Sequence, residues 1–332
     1  MSAADITPDV PDVARRPFTG RRVHFGDVML QSVAGLAALA TTCLVGLIIW
    51  KVVDGSRLSL DTYGLGFVGR IAWNPVAGRE IYGAASFLFG TAVTSFGALL
   101  LAAPLAMGVA LFLTELAPQA LRAPVTALVE TLAAVPSVVI GLWGILVLGP
   151  IVRDHIEPFL HSTLGFIPLF GTPGAGSSVL TAIIVLTIMI LPIVASISRE
   201  LFLSVPHDLK EGALALGATR WEMVRGVMFP YARGGVTAAL ILGFGRAIGE
   251  AIAVTQVIGG GVFIHWNLFD TGDTLASKIA ANYQGATTRL QTSSLIYLGL
   301  VLLVFSLIVN VTAQVIVRRS AKKQGITRGG RA

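Results

Sequence analysis

The chain has 332 residues, 54% of them hydrophobic and only 13% charged, with a formal net charge of +6. Soluble domains carry about 25% charged residues, so the composition excludes an ordinary soluble protein, and in a membrane chain a basic excess marks cytoplasmic loops rather than nucleic-acid binding. The single cysteine, Cys43, lies inside an apolar run, which excludes a disulfide framework and a cysteine-built metal site.

Residues 1–26 are polar, with Asp5, Asp9 and Asp12 ahead of a cluster of arginines, and read as a polar tail. A helix needs roughly 20 apolar residues to cross a hydrocarbon layer. Six segments of the sequence meet that need: Val28 to Trp50, Ser86 to Leu113, Val125 to Val152, Leu180 to Phe202, Gly234 to Ile258 and Leu295 to Val317. The first exceeds the 7–15 residues of a signal-peptide core and ends without a small-residue cleavage site, so it reads as a retained span. An open sheet leaves unpaired backbone groups in lipid, so helices are expected. The outer connections at 54–85, 153–178 and 259–294 have room for short interfacial helices. Residues 320–332 form a basic tail.

With both termini on one side, that side holds Arg15, Arg16, Arg21, Arg22, Arg122, Arg199, Lys210, Arg220, Arg225, Arg233, Arg318, Arg319, Lys322, Lys323, Arg328 and Arg331. The other side holds Lys51, Arg57, Arg70, Arg79, Arg153, Lys278 and Arg289. The richer side is expected to be cytoplasmic.

Between the fourth and fifth spans lies the polar, helix-prone stretch DLKEGALALGATRWEMVRGVMFP, residues 208–230. Pro206 suits the first turn of a helix, and Leu209, Ala213 and Leu216 recur at helical spacing. Gly217 is placed to stop that helix in the left-handed conformation. Thr219 and Glu222 form a capping box that starts a second helix. Trp221, Val224 and Met228 give it an apolar stripe, and Pro230 is expected to break it before the fifth span. The result is a compact cytoplasmic knob of two short helices.

Two charges lie inside the fifth span. Arg246 and Glu250 are four residues apart, which on a continuous helix places them on one face. If the span enters near Arg233, Arg246 sits about 20 Å along it, at a depth where an ionised side chain costs at least ~2.5–3.5 kcal/mol. Two roles remain open: an internal ion pair that fixes packing, or an arginine lining an anion pathway, its planar fork matched to phosphate-like oxygens. The glycines Gly243, Gly245 and Gly249 do not match a dinucleotide fingerprint and follow no strand. Gly245 and Gly249 read instead as a small-residue face for close helix packing. In the third span, Glu130 near the cytoplasmic start reaches the interface or pairs with a loop arginine, and Pro136-Ser137 is expected to kink the helix, with the Ser137 hydroxyl available to shape a pathway or only to pack.

The spacing Glu211-Gly212-Ala213-x-x-x-Gly217, then nine residues, then Val227-Met228-Phe229-Pro230 resembles the coupling loop of ABC-type importer permeases, E-A-A-x3-G-x9-I-x-L-P. Gly212, Val227 and Phe229 depart from that pattern. VPSVVIGLWG at 135–144, GRAIGEAIAVTQVIGG at 245–260, TLASKIAANY at 274–283 and IVNVTAQVIVRR at 308–319 resemble the phosphate importer permeases of the PstC type.

The resemblance implies an all-α integral membrane protein, six transmembrane helices spanning residues 27–319 with a coupling loop at 204–230, in a bacterial inner membrane. It implies Glu211, Ala213, Gly217, Trp221 and Pro230 as the ATPase handle, and Arg246, Glu250 and Ser137 on the substrate path. It implies a PstA-type partner permease, two PstB-type ATPase subunits docked at 206–229, and a PstS-type phosphate-binding protein on the outer face. No G-x-x-x-x-G-K-[ST] phosphate loop occurs in the chain, so ATP and Mg are expected on the partner ATPase and no catalysis or cofactor in this subunit. The alternatives are a permease for sulfate or molybdate, an ion-coupled secondary transporter, or a signalling scaffold that senses phosphate without pumping it.

Overall fold

A computed structural model describes residues 25–322; residues 1–24 and 323–332, which hold most of the two expected tails, lie outside the described residues. Among the described residues the chain is helical, with only isolated bridges at Asn74–Ile81 and Gly259–Gly272 in place of a sheet. Six helices among the described residues are long and apolar enough to cross a membrane. The chain divides into two units at Lys51. In the first, the opening part of α1 (Phe25–Tyr63) presents Leu30, Leu36, Leu39 and Leu44 outward, an all-round apolar surface suited to lipid or to another apolar surface.

The second unit begins with the end of α1. There Ser59 meets Ser293 and Ser294, and the Tyr297 hydroxyl donates to the Gly64 carbonyl at 3.0 Å. A short α2 (Gly66–Gly69) leads to α3 (Ala85–Leu116). Then follow α4 (Gln119–Ala134), α5 (Ser137–Leu164) and α6 (Val179–Leu203). The coupling stretch forms α7 (His207–Ala215) and the start of α8 (Arg220–Gly249). The short α9 (Ile252–Val257) and α10 (Leu275–Asn282) precede α11 (Arg289–Lys322).

Helix α6 is the axis of this unit. Its Val185, Leu186, Met189, Ile190 and Val194 are buried between α3 and α8. On α3, Ala98, Ala102, Ala106 and Ala110 repeat every fourth residue and are fully buried. Small side chains on one stripe bring two helix backbones close, which is how helices associate without a hydrophobic drive between them. A second cluster, on the opposite side from the coupling loop, stacks Phe67 on Tyr297 at 4.4 Å and sets Trp73 against Tyr82 and Phe87.

Three of the expected spans are corrected, the first because its helix runs on past Trp50 to Tyr63. The third is not Val125–Val152 but Ser137–Leu164. The chain does more than kink at Pro136: Val135 and Pro136 are extended, so α4 is a separate helix and α5 starts afresh. The fifth runs from Arg220 to Gly249, passing straight through Pro230 and stopping short of Ile258. The reason is local. A proline ring collides with the carbonyl four residues back. Here Val224–Met228 forms a widened turn, closed by the Phe229 N–H on the Val224 carbonyl, just ahead of Pro230. The same device occurs twice in α5, where widened turns at Gly144–Leu148 and Val152–Ile156 precede Pro150 and Pro158. An inserted residue shifts the offending carbonyl, and the helix continues.

Candidate functional site

The coupling loop is built as a knob. Pro206 caps α7 rather than entering it. Gly217 has φ +86°, the left-handed stop its position requires. The Ala218 N–H donates to Ala213 O at 3.2 Å and the Gly217 N–H to Leu214 O at 3.0 Å, a Schellman closure that satisfies the last carbonyls. Thr219 then caps α8: the Glu222 N–H donates to Thr219 Oγ1 at 3.3 Å, and the Thr219 N–H to Glu222 Oε2 at 2.8 Å.

The knob has two faces. Met223, Val224 and Met228 are buried against Ala110, Phe202 and Val205, with Ala213 half-buried beside them. Trp221, expected on that stripe, instead points outward at 65% exposure, as do Leu216 at 91%, Leu209 and Leu214. Glu211 is exposed as well, 3.9 Å from His207. The Glu211, Leu216 and Trp221 side chains therefore stand free on a rigid support, while Ala213 and Gly217 shape it. One side chain runs the other way. Lys210 is buried and donates to Glu115 Oε1 at 2.7 Å.

Around the intramembrane charges the structure departs from the sequence expectation. Helix α8 ends at Gly249, and Glu250 is extended, with ψ 117°. The two side chains thus do not share a helix face, and among the described residues no ion pair joins them. Glu250 Oε1 instead accepts the Ala253 N–H at 3.3 Å, capping α9. Arg246, in the last turn of α8, is exposed and makes no ion pair among the described residues.

Ser137 is the first residue of α5 and is half-buried. A Cβ on Gly141 would lie 2.8 Å from Ala253 Cα, and one on Gly144 the same distance from the Val257 side chain. The pairing 141 with 253 and 144 with 257 means that α5 and α9 run parallel. Ser137 opens α5 one turn before Gly141 and Glu250 precedes the start of α9, so both helix breaks lie at the N-terminal ends of this parallel pair. Gly141 and Gly144 were not singled out from the sequence; each reads there as an ordinary glycine in an apolar run, and only the facing helix gives it a role. The expected close packing at Gly245 and Gly249 is not found. A Cβ on Gly249 would meet nothing within 4 Å and one on Gly245 only Asn310 Oδ1 at 3.9 Å, whereas one on Gly243 would lie 2.6 Å from the Val194 side chain, so it is Gly243 that seats α8 on α6. Glu130 sits on α4, outside the span, and lines a cavity of about 180 Å³ with Thr126, Arg199 and Glu200. Arg199 is held by Glu200 at 2.6 Å rather than by Glu130.

Residues 102–322 match the family described as the binding-protein-dependent transport system inner membrane component. The chain belongs to this family. Its relatives place it in the PstC branch. The phosphate transport system permease protein PstC of Xylella fastidiosa (strain Temecula1) is 39% identical over 309 residues, 92% of this chain and 93% of that one. PstC 2 of Mycobacterium tuberculosis is 46% identical over 240 residues, 71% and 74% of the two chains. A bacterial alginate ABC transporter, solved with its alginate pentasaccharide-bound periplasmic protein, has a chain of the same fold, with a TM-score of 0.59 at 17% identity over 90% of this chain and 98% of that chain. The family and the six apolar helices make this a multi-pass inner-membrane protein.

Proposed function

We propose that this chain is the PstC-type permease subunit of an ATP-driven importer of inorganic phosphate. The observation that carries the reading is the likeness to PstC proteins across more than nine-tenths of the chain. The coupling loop supports it independently: a helix stopped by a positive-φ glycine, a capped restart, and exposed Leu216 and Trp221 beside Glu211 form a handle with no apolar partner among the described residues. A PstB-type ATPase pair, holding ATP and Mg, docks on that handle. A PstA-type permease completes the membrane path, and a PstS-type protein delivers phosphate from outside. The coupling loop and both termini face the cytoplasm.

In this reading transport is by alternating access. Closure of the ATPase dimer moves the coupling knobs, and the path changes the side to which it opens. Arg246 is the anion-binding group of this subunit. Glu250 is held by the α9 backbone, so the guanidinium keeps its donors for a tetrahedral oxyanion. Ser137, at the start of α5, donates a further hydrogen bond to that anion.

The test is reconstitution of the complex in liposomes with ATP and its binding protein, following labelled phosphate with sulfate as competitor. Arg246→Gln should abolish uptake while assembly and ATP hydrolysis persist. If the double variant Arg246→Gln, Glu250→Gln takes up phosphate normally, the pathway role of Arg246 is wrong. If sulfate displaces phosphate, the substrate is wrong.

A further inference from the structure

Lys210 is an odd residue for the surface loop of a membrane protein. It belongs to the knob, yet only 10% of its side chain is exposed. Its ammonium donates to Glu115 Oε1 at 2.7 Å and to the Phe202 carbonyl at 3.4 Å. Glu115 is itself only 19% exposed. One cation therefore ties together three elements: α7, the last turn of α6, and the end of α3.

The link to α3 is the informative one. The knob is covalently continuous with α6 and α8, so any force on it reaches those helices through the chain. Glu115, on α3, lies 95 residues earlier than Lys210 in sequence, and α3 has no such connection. It touches the knob through Ala110 in an apolar cluster, and apolar contacts are non-directional, so they resist sliding poorly. A buried ion pair has one partner and one geometry, and fixing register is its best-attested use. Glu115 is also set in the widened turn Phe112–Leu116, closed by the Ala117 N–H on Phe112 O at 2.7 Å. That turn ends the helix whose alanine stripe packs along α6.

We propose that Lys210 and Glu115 are a positioning pair, a strut that delivers displacement of the coupling knob to α3 and keeps α7 and the end of α3 moving as one body. The proposal rests on the importer reading above. The pair touches neither phosphate nor the ATPase in this account; it acts through the helices it joins.

The test uses the full complex with its ATPase, partner permease and binding protein, and inorganic phosphate as probe. In Lys210→Met, Glu115→Met both charges are replaced by apolar side chains that fill similar space, so no buried charge is left unpaired. The double variant should assemble and hydrolyse ATP, while phosphate moved per ATP falls by about tenfold, within the range for energetic coupling between sites. An unchanged ratio of phosphate to ATP overturns the strut and leaves a purely structural pair. A second measurement does not depend on that variant folding. Spin labels at the exposed Leu116 and Leu209 of an otherwise native complex should keep one separation in the nucleotide-free and ATP-trapped states. A changed separation overturns the proposal. If the unmodified complex moves no phosphate, the importer reading fails by itself, and the label distance still decides whether the two helices move together.

Discussion

The coupling knob contains two glycines whose substitution should have opposite effects. A Cβ added at Gly212 or at Gly217 meets nothing within 4 Å, so neither change causes a clash. The backbone alone distinguishes them. Gly217 has φ +86°, where an L-residue costs about 1–2 kcal/mol and a β-branched one more. Gly212 lies inside α7, where alanine is favoured over glycine by about 0.8–1 kcal/mol. The two alanine variants should therefore differ in knob stability by about 2–3 kcal/mol, in favour of Gly212→Ala. Gly217→Val should open the Schellman closure, raise hydrogen exchange across α7 and uncouple transport, while the protein still inserts. Gly217→Asn tolerates the left-handed conformation and should stay close to the native protein. The assay is ATP-driven phosphate uptake normalised to expression, with amide exchange read on residues 207–216. Normal uptake by Gly217→Val at normal expression would refute the coupling assignment. Equal damage from Gly212→Ala would refute the backbone argument.

Topology is testable at exposed positions in a Cys43→Ser background. Cysteine at Phe166, 82% exposed beyond the end of α5, should react with an impermeant thiol reagent on intact cells, and cysteine at Leu216 should react only after permeabilisation; the reverse pattern would invert the orientation. Gly141→Ala would set a methyl 2.8 Å from Ala253 Cα, an overpacking cost of about 1–3 kcal/mol. The melting temperature of the complex should fall, and an unchanged value would show that α5 and α9 do not pack as described.

The sequence was most legible where local chemistry and global fold agree. Four of the six spans fall within a few residues of their expected starts, because a charge-free apolar run has few alternatives to a helix. Gly217 and the Thr219–Glu222 box are decided by backbone sterics and by a reach of three residues. Both appear in the structure where the pattern put them. Reading failed at the helix junctions. Pro136 and Pro230 look alike in a sequence, yet one starts a new helix and the other is carried through. At Pro230 the preceding turn holds one extra residue and at Pro136 the chain is extended instead, and no residue type announces either. Arg246 and Glu250 were placed on one face by assuming continuity that Glu250 itself ends. Lys210 counted as one more loop cation, since its partner lies 95 residues away.

The break at Glu250 bears on which role of the charged pair is the better account. Had α8 continued, the arginine and the carboxylate would neutralise each other across one turn, and a packing role would explain both. The observed geometry separates them. Glu250 turns to the start of α9, where its side chain accepts a backbone N–H without drawing on the arginine. Arg246 then remains at the end of α8 with its charge uncompensated by any described residue of the subunit. A guanidinium in a membrane bundle keeps its charge. It therefore needs a counter-charge from outside this unit, supplied by the partner permease, by lipid or by a passing anion. Of these, only an anion that comes and goes makes use of an unpaired arginine at the end of α8. That is the physical reason to prefer the pathway role, and the reason the double glutamine variant is the decisive comparison.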